Sequence, residues 1–409
     1  MGEFLNLVSP DQALKEVFNQ LDSRLGTELV EITDSLNRVV AEDVQSLENL
    51  PSFVRSTMDG YSVRASDTFG ASESLPALLN VIGEISMGES TKIQIGIGEA
   101  VKAYTGGMLA ECADAVVMVE RTNVVDNQLI EVTRPVAAGE NVLQVGEDIR
   151  SEEVILQVGQ KIRPQDIGGL AALGITHIEV IRKPKVAIVS TGDELVELGF
   201  ELPLGKIRDI NTYTISSMII EAGGIPISYG PLGDNFEEQL QVAQSAVQSC
   251  DLVIFSAGSS TSSRDMTARV FSSLGDPGVL VHGISIKPGK PAIIALADGK
   301  PAFGLPGNPV SAMVVFDLLV KPVIKKSLGL GEDLFSTVNA RITQNIPSVS
   351  GREDFIPVKL YSENQKFYAT PVFGKSNLIF TLIRANGIIK IPLDSSGIYE
   401  GMDVLVKSF

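Results

Sequence analysis

The sequence predicts a multidomain protein of α/β plus β class. A central α/β domain with a largely parallel sheet covers 183–330, a β-rich domain covering 48–138 is inserted into a discontinuous domain made of 1–47 and 139–182, and a β domain covers 331–409. Three observations predict this. Short continuous apolar runs such as Val186-Ala187-Ile188-Val189 and Leu252-Val253-Ile254-Phe255 alternate with helical-period segments in the central third. On either side, over 47–138 and after Lys325-Lys326, the period falls to two and glycines punctuate the chain. A length of 409 residues suits about three domains of roughly 150 residues.

At the start, Ser9 suits an N-cap, Pro10 the first turn, and Gln12 completes a capping box. Ala13, Leu14, Val17, Phe18 and Leu21 share one face of this helix, which packs on the rest of the molecule or on a second subunit. A second helix is expected over 32–40. In the insertion, Gly83, Gly88, Gly96, Gly98, Gly106 and Gly107 mark turns between short strands such as Lys92-Ile93-Gln94-Ile95. Asp59, between Met58 and Gly60, reads as a turn residue or as a site acid, and Thr105 precedes Gly106-Gly107. Asp148, in Gly146-Glu147-Asp148-Ile149-Arg150, reads equally as a solvated loop acid or a site acid. Arg163-Pro164-Gln165-Asp166 opens a helix ended by Gly174, with Asp166 as a first-turn acid.

In the central domain, strands are expected near 185–190, 225–229, 252–255, 292–296 and 301–304, and helices near 212–222, 235–249, 264–274 and 309–321. Pro322 is expected to end or kink the last helix. Strands of the C-terminal domain are expected near 338–346, 355–360, 367–370, 387–391 and 404–406.

Composition narrows the function. A net charge of −17 argues against a nucleic-acid partner or an anionic membrane surface, so any anion site is made locally. Cys112 and Cys250 do not suggest a disulfide framework. The opening residues lack the basic and apolar regions of a signal peptide, and no apolar stretch reaches about 18 residues, so the chain reads as cytoplasmic. His177 and His282 are too few for a zinc site or a catalytic triad. Phe373-Gly374-Lys375-Ser376 lacks the first glycine of a P-loop, and Gly96-Ile97-Gly98 lacks the third glycine of a dinucleotide fingerprint.

Chemistry gathers where the central strands end. The runs lead into Ser190-Thr191-Gly192-Asp193-Glu194-Leu195 and into Ser256-Ala257-Gly258-Ser259-Ser260, then on to Asp265. Lys287-Pro288-Gly289-Lys290-Pro291 and Leu305-Pro306-Gly307-Asn308-Pro309-Val310-Ser311 follow. Ligands of open α/β sheets sit beyond the carboxyl ends of the strands, where glycines let N–H groups approach phosphate. Lys287 and Lys290 form a solvated basic turn or an anion site, and the neighbouring glycine loops favour the anion site. Asp193, Glu194 and Asp265 offer oxygen ligands for Mg²⁺; the alternatives are a helix cap for Asp193 and a surface ion pair for Asp265.

Together these segments resemble the molybdopterin molybdenumtransferase family. Ser56-Thr57-Met58-Asp59-Gly60-Tyr61-Ser62-Val63-Arg64 is similar to its S-x-MDGYAVR segment, and Thr105-Gly106-Gly107 with Ala113-Asp114-Ala115-Val116-Val117 to its TGA…ADAVV segment. GEDI, TGDEL, KPGKP and LPGNPVS follow in the same order, and the likeness spans nearly the whole chain. The resemblance implies a central domain of molybdopterin-binding type, an elongated N-terminal domain used in dimerisation, and a barrel-like C-terminal domain. It implies insertion of molybdate, or tungstate in a tungsten-specific counterpart, into adenylylated molybdopterin, with Mg²⁺-dependent cleavage of the pyrophosphate link and release of AMP. The implied catalytic residues are Asp59, Thr105, Asp148, Asp265, Lys287 and Lys290, with Glu194 and Asp265 holding Mg²⁺. Ser190, Thr191, Gly192, Asp193, Glu194, Gly258, Ser259, Ser260, Pro306, Gly307, Asn308 and Ser311 are the implied ligand-binding set. The implied partners are a second copy in a homodimer and the adenylyltransferase of the preceding step. Ala257-Gly258-Ser259-Ser260, Gly107 to Ala110 and Pro357 depart from the family pattern. A non-catalytic scaffold or pterin-binding protein is the alternative; retention of Asp59, Asp265, Lys287 and Lys290 favours an enzyme.

Overall fold

The computed structural model describes residues 7–21, 25–257, 261–331 and 337–409, with the main chain only at 261–265. The central sheet runs in the order Ile225–Leu232, Lys185–Thr191, Leu252–Ala257, Lys300–Pro306, Ile293–Ala297, Gly278–His282. Its first four strands are parallel, and Ile293–Ala297 runs antiparallel to both of its neighbours. Strands covered on both faces read as unbroken apolar runs, which is why the sequence shows them so plainly. Val186, Ile188, Ile254 and Phe303 face Ile215 and Ile219 of the helix Asn211–Ala222. The alternate residues Ala187, Val189, Val253 and Phe255 face Ala243 and Ala246 of Phe236–Ser249 and Val270 and Phe271 of Thr261–Ser272. The edge strand Gly278–His282 was not expected; only two of its five residues are buried, so it carries a weak apolar signal.

Parallel pairing puts the strand exits on one edge. Thr191 lies in register with Ala257, and Ala257 with Pro306. The site loops therefore leave the sheet side by side.

The helix Pro10–Gln20 has the expected capping box, with the Gln12 amide donating to Ser9 Oγ at 3.2 Å. Its Ala13 and Val17 pack into the same core as Ile294 and Phe316, so its partner is the central domain of its own chain. The helix expected over 32–40 is absent. Only the single 3₁₀ turn Ile32–Asp34 forms, because Asn37 is left-handed with φ 63°, and Val39 and Val40 instead make β-bridges to Lys161 and Val180. Three antiparallel pairs carry the chain out and back: Thr27–Glu31 with His177–Ile181, Val44–Gln45 with Val154–Leu156, and Arg55–Ser56 with Val142–Leu143. Between the arms lies the inserted six-stranded sheet, ordered Ala115–Met118, Gly60–Val63, Glu99–Ala103, Ala77–Glu84, Leu129–Val132, Thr122–Val124. Gly60 is required there, since a Cβ would meet the Val117 carbonyl oxygen at 1.9 Å.

The helix Pro164–Ala172 is held by Asp166, whose Oδ2 accepts from the Arg163 amide at 2.8 Å and from Arg163 Nε at 3.0 Å. The Arg163 side chain is the main cause holding the Asp166 carboxyl below its ordinary value. A lowered acid contributes stability above its unfolded pKa and loses it as pH falls. Asp166→Asn is therefore expected to destabilise the protein by about 1 kcal/mol at neutral pH. The gap should close below pH 3.8. Denaturant midpoints across that range check it, and a gap unchanged by acid would contradict it.

The helix opening at Pro309–Val315 does not end at Pro322. It widens into the π turn Phe316–Val320 and continues as Lys321–Ser327. The wide turn puts Pro322 at the start of a new α segment, where its missing N–H leaves no bond unmade.

The C-terminal strands close into a five-stranded barrel: Glu353–Glu363, Lys366–Pro371, Thr337–Ile342, Asp403–Ser408, Gly387–Ile391 and back. Closure depends on the long strand Glu353–Glu363, whose first half pairs with Gly387–Ile391 and second half with Lys366–Pro371. Ile286–Lys287 of the central domain pairs with Glu353 and Asp354, adding a strand to the barrel sheet. Among the described residues no helix is long and apolar enough to cross a membrane.

Candidate functional site

Two hollows meet at the seam between the central domain and the barrel. The larger, about 720 Å³, is lined by Lys287 to Pro291 and by Pro306, Gly307, Asn308 and Ser311 on one side. Arg352, Asp354, Lys375, Ser376 and Phe373 line it from the barrel side. The smaller, about 260 Å³, lies at the strand exits against Ser190, Thr191, Glu194, Asp209, Asn211 and Ser256. Gly307 and Asn308 line both, so the hollows are contiguous.

The lysine loop is rigidly placed. Its strand Ile286–Lys287 is paired to the barrel, the Ile284 amide donates to the Lys290 carbonyl at 2.9 Å, and the Lys287–Pro288 bond is cis. Gly289 has φ 112°, and a Cβ there would meet Val315 Cγ2 at 2.6 Å. Backbone closeness thus fixes the loop while Lys287 and Lys290 stay exposed. Among the described residues neither they nor Lys375 have a carboxylate partner. Arg352 Nε donates to Asp354 Oδ1 at 2.9 Å, and Asp354 is fully buried beneath the cleft. Ser376 is tied to the opposite wall, its Oγ accepting from Asn308 Nδ2 at 3.1 Å and its carbonyl from the Val310 amide at 3.1 Å. Four cations, Lys287, Lys290, Arg352 and Lys375, thus converge on one cleft in a strongly acidic chain. Sequence reasoning missed Arg352 and set aside Lys375 and Ser376 with the incomplete P-loop.

At the strand exits, Ser190 is turned inward: its Oγ lies 2.9 Å from Thr212 Oγ1, itself a donor to Asp209 Oδ2 at 2.6 Å. Asp193 is exposed and its Oδ1 accepts from the Asp234 amide at 3.0 Å, which links the TGDEL loop to the end of the neighbouring strand. Burial, and then the charges of Asp193 and Glu194, push the Asp234 carboxyl up. The three acids form a negative rim, although no group of three metal-ligating side chains is gathered among the described residues. Gly258, Ser259, Ser260 and the side chain of Asp265 lie outside the described residues.

Asp59 and Thr105 come together in the inserted domain. Asp59 Oδ1 accepts from the Thr105 amide at 2.8 Å and from Thr105 Oγ1 at 2.9 Å, and these bonds hold the Asp59 carboxyl below its ordinary range, backbone contribution first. The Gly106 amide donates to the Ser56 carbonyl at 2.7 Å, so the MDGY and TGG loops are strapped to one another. The Asp148 amide donates to the Leu50 carbonyl at 3.0 Å, and its side chain is exposed. None of Asp59, Thr105 and Asp148 lines either hollow.

The chain matches three consecutive family models: the MoeA N-terminal region over 8–174, the probable molybdopterin binding domain over 187–326, and the MoeA C-terminal region over 339–409. It is 33% identical to a molybdopterin molybdenumtransferase of Bacillus subtilis, with 97% of this chain and 93% of the relative covered. Identity to the protein of that name from Haemophilus influenzae is 34%, over 98% of this chain and 99% of the relative. A crystal structure of a molybdopterin biosynthesis MoeA protein from Pyrococcus horikoshii superposes with TM-score 0.85 at 39% identity, covering 98% of this chain and 99% of that one.

Proposed function

The chain belongs to the molybdopterin molybdenumtransferase family, as a transferase of molybdenum cofactor biosynthesis, and we propose that it inserts molybdate into adenylylated molybdopterin, cleaving the pyrophosphate link and releasing AMP. The observation that carries this is the cleft in which Lys287, Lys290, Arg352 and Lys375 face Gly307, Asn308 and Ser311. Clustered cations beside glycine-rich turns suit phosphate and a tetrahedral oxyanion together. The adjoining hollow at the strand exits takes a ring of the substrate, and the phosphates pass over Gly307 and Asn308. Lys290 and Lys287 bind the oxyanion, and Arg352, braced by Asp354, presents its guanidinium from the barrel side.

Carboxylate oxygens suit a hard cation, and Asp193 and Glu194 stand beside Asp234, whose carboxyl is pushed up by burial first and by their charges second. Glu194 and Asp265 would hold Mg²⁺. When bound, it supplies charge neutralisation on the phosphoanhydride. Asp59, Thr105 and Asp148 come to the cleft from a second copy in a homodimer, consistent with their place outside both hollows of their own chain. On this reading the protein works in the cytoplasm, directly after the adenylyltransferase that makes its substrate.

The test is AMP release from adenylylated molybdopterin. Release is expected only with both a divalent cation and molybdate or tungstate present, and the two oxyanions in separate arms report the metal preference. Tight binding of the substrate without turnover under either oxyanion would replace the enzyme with a binding protein.

A further inference from the structure

The smaller hollow has a buried polar atom with no partner among the described residues. Thr212 Oγ1 donates to Asp209 Oδ2, so towards Ser190 it acts as acceptor, and the Ser190 hydroxyl has no proton left for a ligand. Asn211 stands beside them and is 6% exposed. Its Nδ2 donates to Ser256 Oγ at 2.7 Å and to the Gly307 carbonyl at 2.9 Å. A carbonyl can only accept, so the Gly307 contact fixes which end of the amide is nitrogen. Asn211 Oδ1 is buried and receives no hydrogen bond from the described residues. Buried acceptors are nearly always paired, and the exceptions need a reason. Here the side chain lines a cavity of about 260 Å³, with room for a bicyclic ring.

We propose that Asn211 is a specificity-determining residue of this hollow, its Oδ1 accepting a hydrogen bond from the exocyclic amine of an amino-substituted bicyclic heteroaromatic ring. The proposal rests on the substrate reading above, in which both ends of the ligand carry such a ring: adenine at one, the pterin at the other. The chemistry is common to both, and the test separates them. It extends the role of Asn211 beyond clamping the Gly307 loop to the end of Leu252–Ala257.

Calorimetric binding to the full chain is measured with two matched pairs: AMP against purine riboside monophosphate, which lacks the amine, and pterin against its deaminated analogue. Wild type is expected to prefer the amino member of one pair by about fivefold, the scale of one hydrogen bond. Asn211→Ala is expected to bind both members of that pair alike. The pair that responds names the ring. Wild type is also expected to bind the oxo analogue of the responding ring, IMP or lumazine, less tightly than the amine, since an oxo group can only accept; this measurement needs no variant to fold. No preference in either pair, no binding of any probe, a preference that survives Asn211→Ala, or an oxo analogue bound as tightly as the amine would overturn the proposal. A purely structural Asn211 would weaken both members equally. Failure of AMP release with the preference intact would sink the insertase reading alone.

Discussion

Lys290→Ala is expected to lower affinity for molybdate and tungstate by about tenfold, and Lys287→Ala combined with Lys290→Ala by about a hundredfold, with folding unchanged. A hydrogen bond to a charged group contributes roughly 1.5–3 kcal/mol, and each lysine supplies at least one. Both side chains are exposed, so truncating them should alter stability by no more than ~0.5 kcal/mol. The loop itself is held by backbone bonds and by Gly289, which neither substitution touches. Arg352 is a poorer choice for this test. Removing it leaves the buried Asp354 carboxylate, whose Oδ2 already has no partner among the described residues, without its bond at Oδ1 as well. That would cost about 3–5 kcal/mol of stability and confuse binding with unfolding. Equilibrium dialysis with each oxyanion gives the affinities, and unaltered values in the double variant would remove the anion role from this loop.

Co-expression of Asp59→Asn with Asp265→Asn is expected to restore roughly a quarter of normal activity to two variants that are inactive alone. Asp59 is bonded to Thr105 within the inserted sheet and lies outside both hollows of its own chain, whereas Asp265 follows the central strand Leu252–Ala257. If a site combines Asp59 of one copy with Asp265 of the other, a mixed dimer has one intact site and one doubly damaged site. Random pairing makes half of the dimers mixed, which gives the expected fraction. If each chain builds its own site, every site keeps a lesion. Absence of rescue, with mixed dimers confirmed by mass and each variant folded, would rule out the shared site.

The central domain was legible because its strands are covered on both faces and its helices carry a plain period. The same reasoning misjudged 32–40, where the spacing of Ile32, Leu36 and Val40 fits a helix but the left-handed Asn37 ends it after one turn. Lys287 and Lys290 were legible as a pair because their spacing and their glycine are local. Arg352, Lys375 and Ser376 were not, because nothing near them in sequence tells of the cleft. They reach it only because Ile286–Lys287 joins the barrel and Ser376 bonds across to Asn308. Asn211, just before the helix expected near 212–222, was not singled out as a site residue. Its two long-range donor bonds appear only once the Gly307 loop is folded back on the strand ends.

The coupled reaction is tested most directly by single-turnover stoichiometry. The protein, loaded with adenylylated molybdopterin in the presence of Mg²⁺ and molybdate, is quenched over time, and AMP and molybdenum-bearing pterin are counted in the same samples. The site described here predicts that both appear at the same rate and in equal amounts, and that omitting molybdate stops AMP release. AMP released without metal insertion would make the protein a hydrolase of the pyrophosphate link, and would contradict the account.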